Sequence, residues 1–548
     1  MDKKINCGDL TSLYQQSFVE NWDLPGFSDY RGSVYTYGDA ARLIRRMHVF
    51  FEQCQLSAGD KVALLGRNSA NWGITFLAVI TYGAVAVPVL PDFNPDSVHH
   101  IVRHSDARFL FVTDLLFQRL SLEEMPDLEA VIYLNQLTPA FVRTPDITDA
   151  WEQSKTLSTD LSADTFRLKK LPENAVCIIS YTSGTSGFTK GVMLSVKNLF
   201  SNIIYARDHM PLKAGDRIVS FLPMAHVFGL LFEFLFPATL GCHITFLTKS
   251  PTPPVVMAAF SEIRPHLILS VPLVIEKIYT KQILPALKKP LIRFFMHIPG
   301  ISAVLKKRVK EKLIEAFGGH FHEIVIGGAA LGRDVELFFR KINFPFTVGY
   351  GMTECAPLIA YAAWDISKPF SAGKLVDGMQ IRIDSADPCR EVGEILVKGD
   401  HVMIGYYKDE EATRQAVDKE GWLHTGDLGI IDGENYIFIK GRSKNMLLGA
   451  SGQNIYPEEI EIRLSNLPFI SECVVVDRDG KLVARVFADA ERMQEQHIQE
   501  EQLLRIMEDN RKQANRDLPK YSQISRIELV PAEFEKTPKR NIKRYLYI

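Results

Sequence analysis

Along its first 350 residues the chain alternates short apolar runs with segments of helical periodicity. Residues 61–66 read as a strand, 69–82 as a helix and 85–90 as a strand. Residues 96–104 then read as a helix and 109–112 as a strand. Further short strands are predicted at 175–180, 217–221, 242–247, 267–271 and 323–326. Strands that alternate with helices predict an α/β architecture with largely buried sheets. After about residue 375 the helices thin out, and strands at 379–383, 393–397 and 436–440 predict a β-rich part. The pattern changes again after Gly441-Arg442. A helix at 458–465, strands at 473–476 and 482–487 joined by the Asp479-Gly480 turn, a helix at 500–515 and a strand at 524–530 predict a compact α+β unit. The domain boundary is therefore placed at residue 442, giving units of 1–442 and 443–548.

Two apolar runs, 74–91 and 227–247, are long enough to suggest a membrane span. Gly83, Pro88 and Pro91 interrupt the first, and Glu233, Pro237, Gly241 and His243 the second. Each reads better as a buried helix running into a buried strand. At 548 residues the chain is long for a single domain, and 46% hydrophobic residues supply a large core. The 63 basic and 65 acidic residues leave a net charge of −2, so no global field calls for nucleic acid. Seven scattered cysteines without a Cys-x-x-Cys pair argue against a disulfide scaffold or structural zinc and for a reducing cytoplasm. The N-terminal Met1-Asp-Lys-Lys-Ile-Asn-Cys7 has no apolar stretch behind its lysines and does not read as a secretory signal.

The strongest chemical signal is Ile178-Ile-Ser-Tyr-Thr-Ser-Gly-Thr-Ser-Gly-Phe-Thr-Lys-Gly-Val192. An apolar strand is expected to lead into a loop carrying Thr182, Ser183, Thr185 and Ser186, with Gly184, Gly187 and Gly191 for close backbone approach. Lys190 supplies a cation. Hydroxyls, backbone N–H groups and one lysine suit a polyphosphate, although the spacing is not that of a Walker loop. A bland polar surface loop is the competing reading.

At this point the chain resembles the adenylate-forming superfamily, which includes acyl-CoA synthetases, peptide-synthetase adenylation domains and firefly luciferase. Further stretches match in the family's order. Gly349-Tyr-Gly-Met-Thr-Glu354 resembles the adenine and magnesium motif, and Gly421-Trp-Leu-His-Thr-Gly-Asp427 the ribose motif. Gly441-Arg-Ser-Lys444 and Gly452-Gln-Asn-Ile-Tyr-Pro-Glu-Glu459 resemble the hinge region. The resemblance spans roughly residues 30–548 and is closest to long-chain fatty-acid:CoA ligases. It implies a large N-terminal domain of two α/β subdomains plus a β-rich subdomain, with a small mobile α+β C-terminal domain.

It also implies roles for particular residues. Lys190 and the donors of Thr182, Ser183, Gly184, Thr185, Ser186 and Gly187 would hold the β- and γ-phosphates of ATP. Thr353 would bind the α-phosphate, and Glu354, helped by Thr185, would ligate Mg²⁺. Tyr350, between Gly349 and Gly351, would offer an aromatic face to adenine. Gly328, Ala329 and Ala330 would let the nucleotide lie against backbone. Asp427 would accept from the ribose hydroxyls, with Arg442 donating nearby. His226, in Phe221-Leu-Pro-Met-Ala-His-Val-Phe-Gly229, would gate the acyl site, and Lys444 would be the hinge. The implied reaction joins a carboxylate to MgATP as acyl-AMP and pyrophosphate, and coenzyme A then displaces AMP. The aliphatic and aromatic stretch 228–236 suits an alkyl substrate.

Four features depart from the pattern or stand outside it. The family's catalytic lysine aligns with Asn541 in Lys536-Thr-Pro-Lys-Arg-Asn-Ile-Lys-Arg544, and an amide carries no charge. Lys539, Arg540 or Lys543 would have to substitute. Thr189 stands where proline is usual, and Asn445 where an acid follows the hinge lysine. The alternatives therefore include loading of an acyl carrier protein, ligation of an aryl acid, and a nucleotide- or acyl-binding protein of low activity. Finally, Ile301, Leu305, Val309, Leu313 and Phe317 fall on one side of a predicted helix, with Lys306, Lys307 and Lys310 on the other and Lys288, Lys289 and Arg293 before it. A surface helix packed on the core is the favoured reading, and a peripheral contact with anionic lipid the other.

Overall fold

The computed structural model describes residues 8–156, 160–183, 189–280, 285, 301–448, 454–465, 467–478, 480–516, 518–536 and 542–547. The largest sheet has eight strands in the order Gly405–Tyr406, Thr189–Ser195, Val176–Ser183, Val85–Val89, Lys61–Leu65, Ala107–Val112, Ala130–Tyr133 and Thr138–Val142. The five central strands from Val176–Ser183 to Ala130–Tyr133 run parallel. Parallel strands are covered on both faces, and all five positions of Val85–Val89 are buried. The helix Ala70–Tyr82 forms where the sequence signals it. The Ser69 hydroxyl accepts the Trp72 N–H at its start, and Gly83, at φ 98°, ends it.

A second parallel sheet joins Leu267–Ser270, Glu323–Ile326 and Phe346–Val348. A four-stranded antiparallel sheet of Met379–Asp384, Gly393–Gly399, Leu423–Ile431 and Ile437–Arg442 is the expected β-rich part. Beyond it, the helices Pro457–Ser465 and Glu500–Arg516 cover the hairpin Ile470–Arg478 and Lys481–Ala488, with Arg526–Leu529 parallel to the second strand. Ile455, Ile460, Val475, Leu503, Met507 and Ile524 are buried in a core that draws only on this last part of the chain.

Both apolar runs are helix followed by strand. The first is Ala70–Tyr82 and Val85–Val89; the second passes through Leu230–Leu235 and Phe236–Ala238 to His243–Phe246. Residues Leu230–Leu235 adopt a π-helix, which hydropathy does not distinguish from an α-helix. Among the described residues, no helix is long and apolar enough to cross a membrane.

The structure corrects two expectations. Thr182, Ser183 and Lys190 belong to strands, not to the loop. Val176–Ser183 and Thr189–Ser195 form an antiparallel hairpin in which Thr182 pairs with Lys190. The alternation Val192-Met-Leu194 continues the β pattern, so the strands reach Ser183 on one side of residues 184–188 and Thr189 on the other. Those residues, including Gly184, Thr185, Ser186 and Gly187, lie outside the described residues, as do Lys288, Lys289, Arg293, Lys539, Arg540 and Asn541. The helix Ile301–Ala316 buries Leu313 and packs beside the buried Phe317, but Lys306 and Lys310 are half-buried at its flanks. Its exposed face mixes Lys307, Arg308 and Lys312 with Glu311 and Glu315, a composition that favours a solvated helix.

Candidate active site

The hairpin, the turn after Phe346–Val348 and the antiparallel sheet bring the separated motifs together. Gly349 N–H donates to the Ile326 carbonyl, and the short pair Tyr350–Gly351 and Leu358–Tyr361 folds the motif back on itself. A Cβ on Gly351 would stand 2.2 Å from the Pro357 carbonyl oxygen, so only glycine fits. Thr353 and Glu354 occupy a 3₁₀ turn, Thr353–Cys355, and both are half-buried.

Asp427 lies on the strand Leu423–Ile431, in register with Arg442 on the neighbouring strand. Its carboxylate takes the Tyr350 hydroxyl at 2.7 Å and the Arg442 Nε at 2.6 Å. Asp427 is 3% exposed and Tyr350 7%, whereas the Arg442 side chain is more than half exposed. Burial pushes the Asp427 carboxyl above its ordinary range, against the opposing pull of Arg442 and Tyr350, while Glu354 and Glu458 push it further. Burial and the Asp427 charge push the Tyr350 phenol well above its ordinary value, so it stays a donor.

Lys190 lies over the ring of Tyr406, 4.8 Å from its centroid, and the Tyr406 hydroxyl donates to Glu354 Oε1 at 3.0 Å. Gly328, at φ 86°, and Ala329 and Ala330 are exposed just beyond the strand Glu323–Ile326. A Cβ on Gly327 would meet the Phe228 ring at 2.9 Å, so the apolar helix that follows His226 packs directly behind this backbone. His226 is half-buried at the N-terminus of that helix. The segment leading to it is pinned by Glu233, whose Oε2 accepts the Phe221 and Leu222 N–H groups at 3.0 Å each. Glu233 is fully buried, and its Oε1 has no hydrogen-bond partner among the described residues. Lys444 is exposed in the turn Ser443–Asn445, two residues past Arg442. The Asn445 amide donates to Glu458 Oε1 at 2.5 Å, tying this turn to the helix Pro457–Ser465.

Sequence reasoning missed Tyr406 and Glu233. Glu233 left a trace as the lone acid in an apolar run. Tyr406 left none, because its partners are far away in sequence.

A cation at the end of a hairpin, a carboxylate in a tight turn and a buried acid with two donors, brought together from four segments, form a constellation suited to a nucleotide-using enzyme. Comparison with known proteins narrows this. A family model described as AMP-binding enzyme matches residues 18–407, and one described as AMP-binding enzyme C-terminal domain matches 444–547. The chain belongs to the AMP-binding enzyme family. It is 31% identical over 464 residues to the long-chain-fatty-acid–CoA ligase FadD15 of Mycobacterium bovis, a match covering 80% of this chain and 75% of that one. It is 28% identical over 488 residues to the long-chain-fatty-acid–CoA ligase heimdall of Drosophila melanogaster, covering 83% and 71%. The fold also superposes on the anthranilate CoA ligase AuaEII in complex with anthranoyl-AMP, with a TM-score of 0.79 at 19% identity over 98% of this chain and 96% of that one.

Proposed function

We propose that this chain is an ATP-dependent acyl-CoA synthetase acting on a medium- or long-chain fatty acid. It forms acyl-AMP with release of pyrophosphate, then transfers the acyl group to coenzyme A with release of AMP. The observation that carries the reading is the convergence of Lys190, Glu354 and the Asp427–Tyr350–Arg442 group in a member of this family. The relatives named for long-chain fatty acids support the acyl substrate, and so does the buried apolar helix beside His226.

The first step brings a carboxylate to a phosphate, so positive charge and fixed donors must offset repulsion. In this reading Lys190, two residues past residue 188, takes that task, and Thr353 donates to the α-phosphate. Asp427, kept acceptor-only while ionised, takes the ribose hydroxyls, and Arg442 donates alongside. Glu354 offers a hard carboxylate oxygen for Mg²⁺, with Thr185 as the second ligand. Among the described residues, no group of three or more His, Cys, Asp or Glu could cage a metal. Mg²⁺ characteristically takes one or two carboxylates and completes its shell from phosphate and water, so the donor set fits. When bound, the ion neutralises phosphate charge. In the second step the thiol attacks the acyl carbonyl and AMP leaves.

In this reading residues 1–442 are the adenylation domain, and residues 443–548 turn about Lys444 between the two half-reactions. Six described cysteines are free, which supports a cytoplasmic setting.

The test is pyrophosphate and AMP release from MgATP with acids from acetate to oleate, aryl acids included, with and without coenzyme A. CoA-dependent turnover rising with chain length is expected. Turnover confined to aryl acids would displace the fatty-acid reading, and pyrophosphate release without acyl-CoA would displace coenzyme A as acceptor.

A further inference from the structure

Tyr406 belongs to none of the motifs above, yet its segment ties two of them together. Met403 N–H donates to the Glu354 carbonyl at 2.8 Å. Ile404 N–H donates to the Met193 carbonyl at 3.0 Å, and Tyr407 N–H to the Gly191 carbonyl at 2.7 Å. The two-residue strand Gly405–Tyr406 thereby closes the edge of the eight-stranded sheet, pairing Tyr406 with Val192. The other side of the segment is fixed as well. Tyr406 N–H donates to Thr413 Oγ1 at 2.9 Å, and a Cβ on Gly405 would meet the Thr413 side chain at 2.7 Å. The backbone holding the Tyr406 ring is therefore fastened to both the hairpin that carries Lys190 and the turn that carries Glu354.

The ring itself meets opposite charges at its two ends. The ammonium of Lys190 rests on its face and the carboxylate of Glu354 takes its hydroxyl. Engaged by one phenol, the two charged groups are fixed in direction before the nucleotide arrives.

We propose that Tyr406 is the positioning residue that presets Lys190 and Glu354 for a magnesium–triphosphate, aiming the carboxylate with its hydroxyl and supporting the ammonium with its ring. The inference rests on the acyl-CoA synthetase reading above, in which Lys190 faces phosphate and Glu354 faces the metal. It separates the two functions of one side chain: the hydroxyl serves the metal, the ring serves the phosphates.

The experiment is calorimetric titration of the full chain with α,β-methylene-ATP, whose bridge cannot release pyrophosphate and which therefore cannot donate its adenylyl group, in excess Mg²⁺ and in EDTA. Wild type, Tyr406→Phe and Tyr406→Leu are compared, with near-UV circular dichroism confirming that each is folded. Wild type is expected to bind more tightly with Mg²⁺. Tyr406→Phe keeps the ring and should lose about tenfold of the Mg²⁺-dependent gain, the scale of one hydrogen bond to a charged group, with EDTA affinity unchanged. Tyr406→Leu should lose affinity in both conditions. A Tyr406→Phe chain that keeps the full Mg²⁺ gain overturns the proposal and leaves the functional reading standing. A wild-type chain that binds the analogue in neither condition overturns the functional reading itself.

Discussion

Arg442 and the Tyr350 hydroxyl oppose the cost of burying the Asp427 carboxylate, though burial still raises its carboxyl above the ordinary range. Replacing it with alanine removes that cost but strands the Tyr350 hydroxyl, a loss of about 1–3 kcal/mol for a buried unsatisfied donor. Asparagine keeps one acceptor and should be milder. If Asp427 accepts from the ribose hydroxyls, wild type will bind ATP more tightly than 2′,3′-dideoxy-ATP, and Asp427→Ala will bind the two alike. Competition binding with both nucleotides checks this. Preserved discrimination in the alanine variant would remove Asp427 from the ribose.

The strand Glu323–Ile326 opens on another buried acid. Glu323 is 2% exposed, receives the Tyr361 hydroxyl and accepts the Trp364 N–H at 3.1 Å. Burial pushes its carboxyl from 4.5 to about 7. The folded state thus holds this proton more tightly than the unfolded chain does, so the contribution of Glu323 to stability is full below pH 4.5 and is lost as pH rises to about 7. The span is on the order of 3 kcal/mol. Glu323→Gln mimics the protonated acid, and urea unfolding from pH 5 to 8 should show a shallower loss of stability in this variant. An unchanged slope would place the titration elsewhere. The same strand shows what the sequence made legible. Its apolar run predicted residues 323–326, and similar runs predicted most strands of both parallel sheets to within a few residues, because continuous burial writes continuous hydrophobicity. The hairpin strand Thr189–Ser195 was missed beside a glycine-rich stretch that read as loop. Gly405–Tyr406 was missed because two residues carry no periodicity and their pairing is set by chain more than 200 residues earlier. The candidate residues Lys190, Glu354 and Asp427 stand in local motifs, whereas Tyr406 and Glu233 are tied in by hydrogen-bond partners that no motif encodes.

At the scale of the whole molecule, the proposed rotation would act on contacts at and across residue 442. Lys440 pairs with Glu459 at 3.4 Å across it, the Arg492 guanidinium donates to the Thr280 carbonyl at 3.5 Å, and Asn445 ties to Glu458 at 2.5 Å just beyond it. Asn445→Asp would set two carboxylates against each other where an amide now donates, costing about 1–3 kcal/mol in this arrangement. The expected outcome is a changed ratio of acyl-AMP formation to thioester formation, measured as separate half-reactions, together with faster proteolysis of the chain after Arg442. Equal ratios and equal cleavage would show that this contact does not bias the joint.

Arg442 has a double membership that reaches further. It is paired with Asp427 in the sheet and stands two residues before Lys444. Under the proposed rotation, a movement of the terminal unit tugs on the same guanidinium that steadies the ribose acceptor. Thermodynamic reciprocity then requires that AMP pull back on the rotation by the same free energy. The departing nucleotide becomes a reporter of domain angle, and the angle a throttle on its departure.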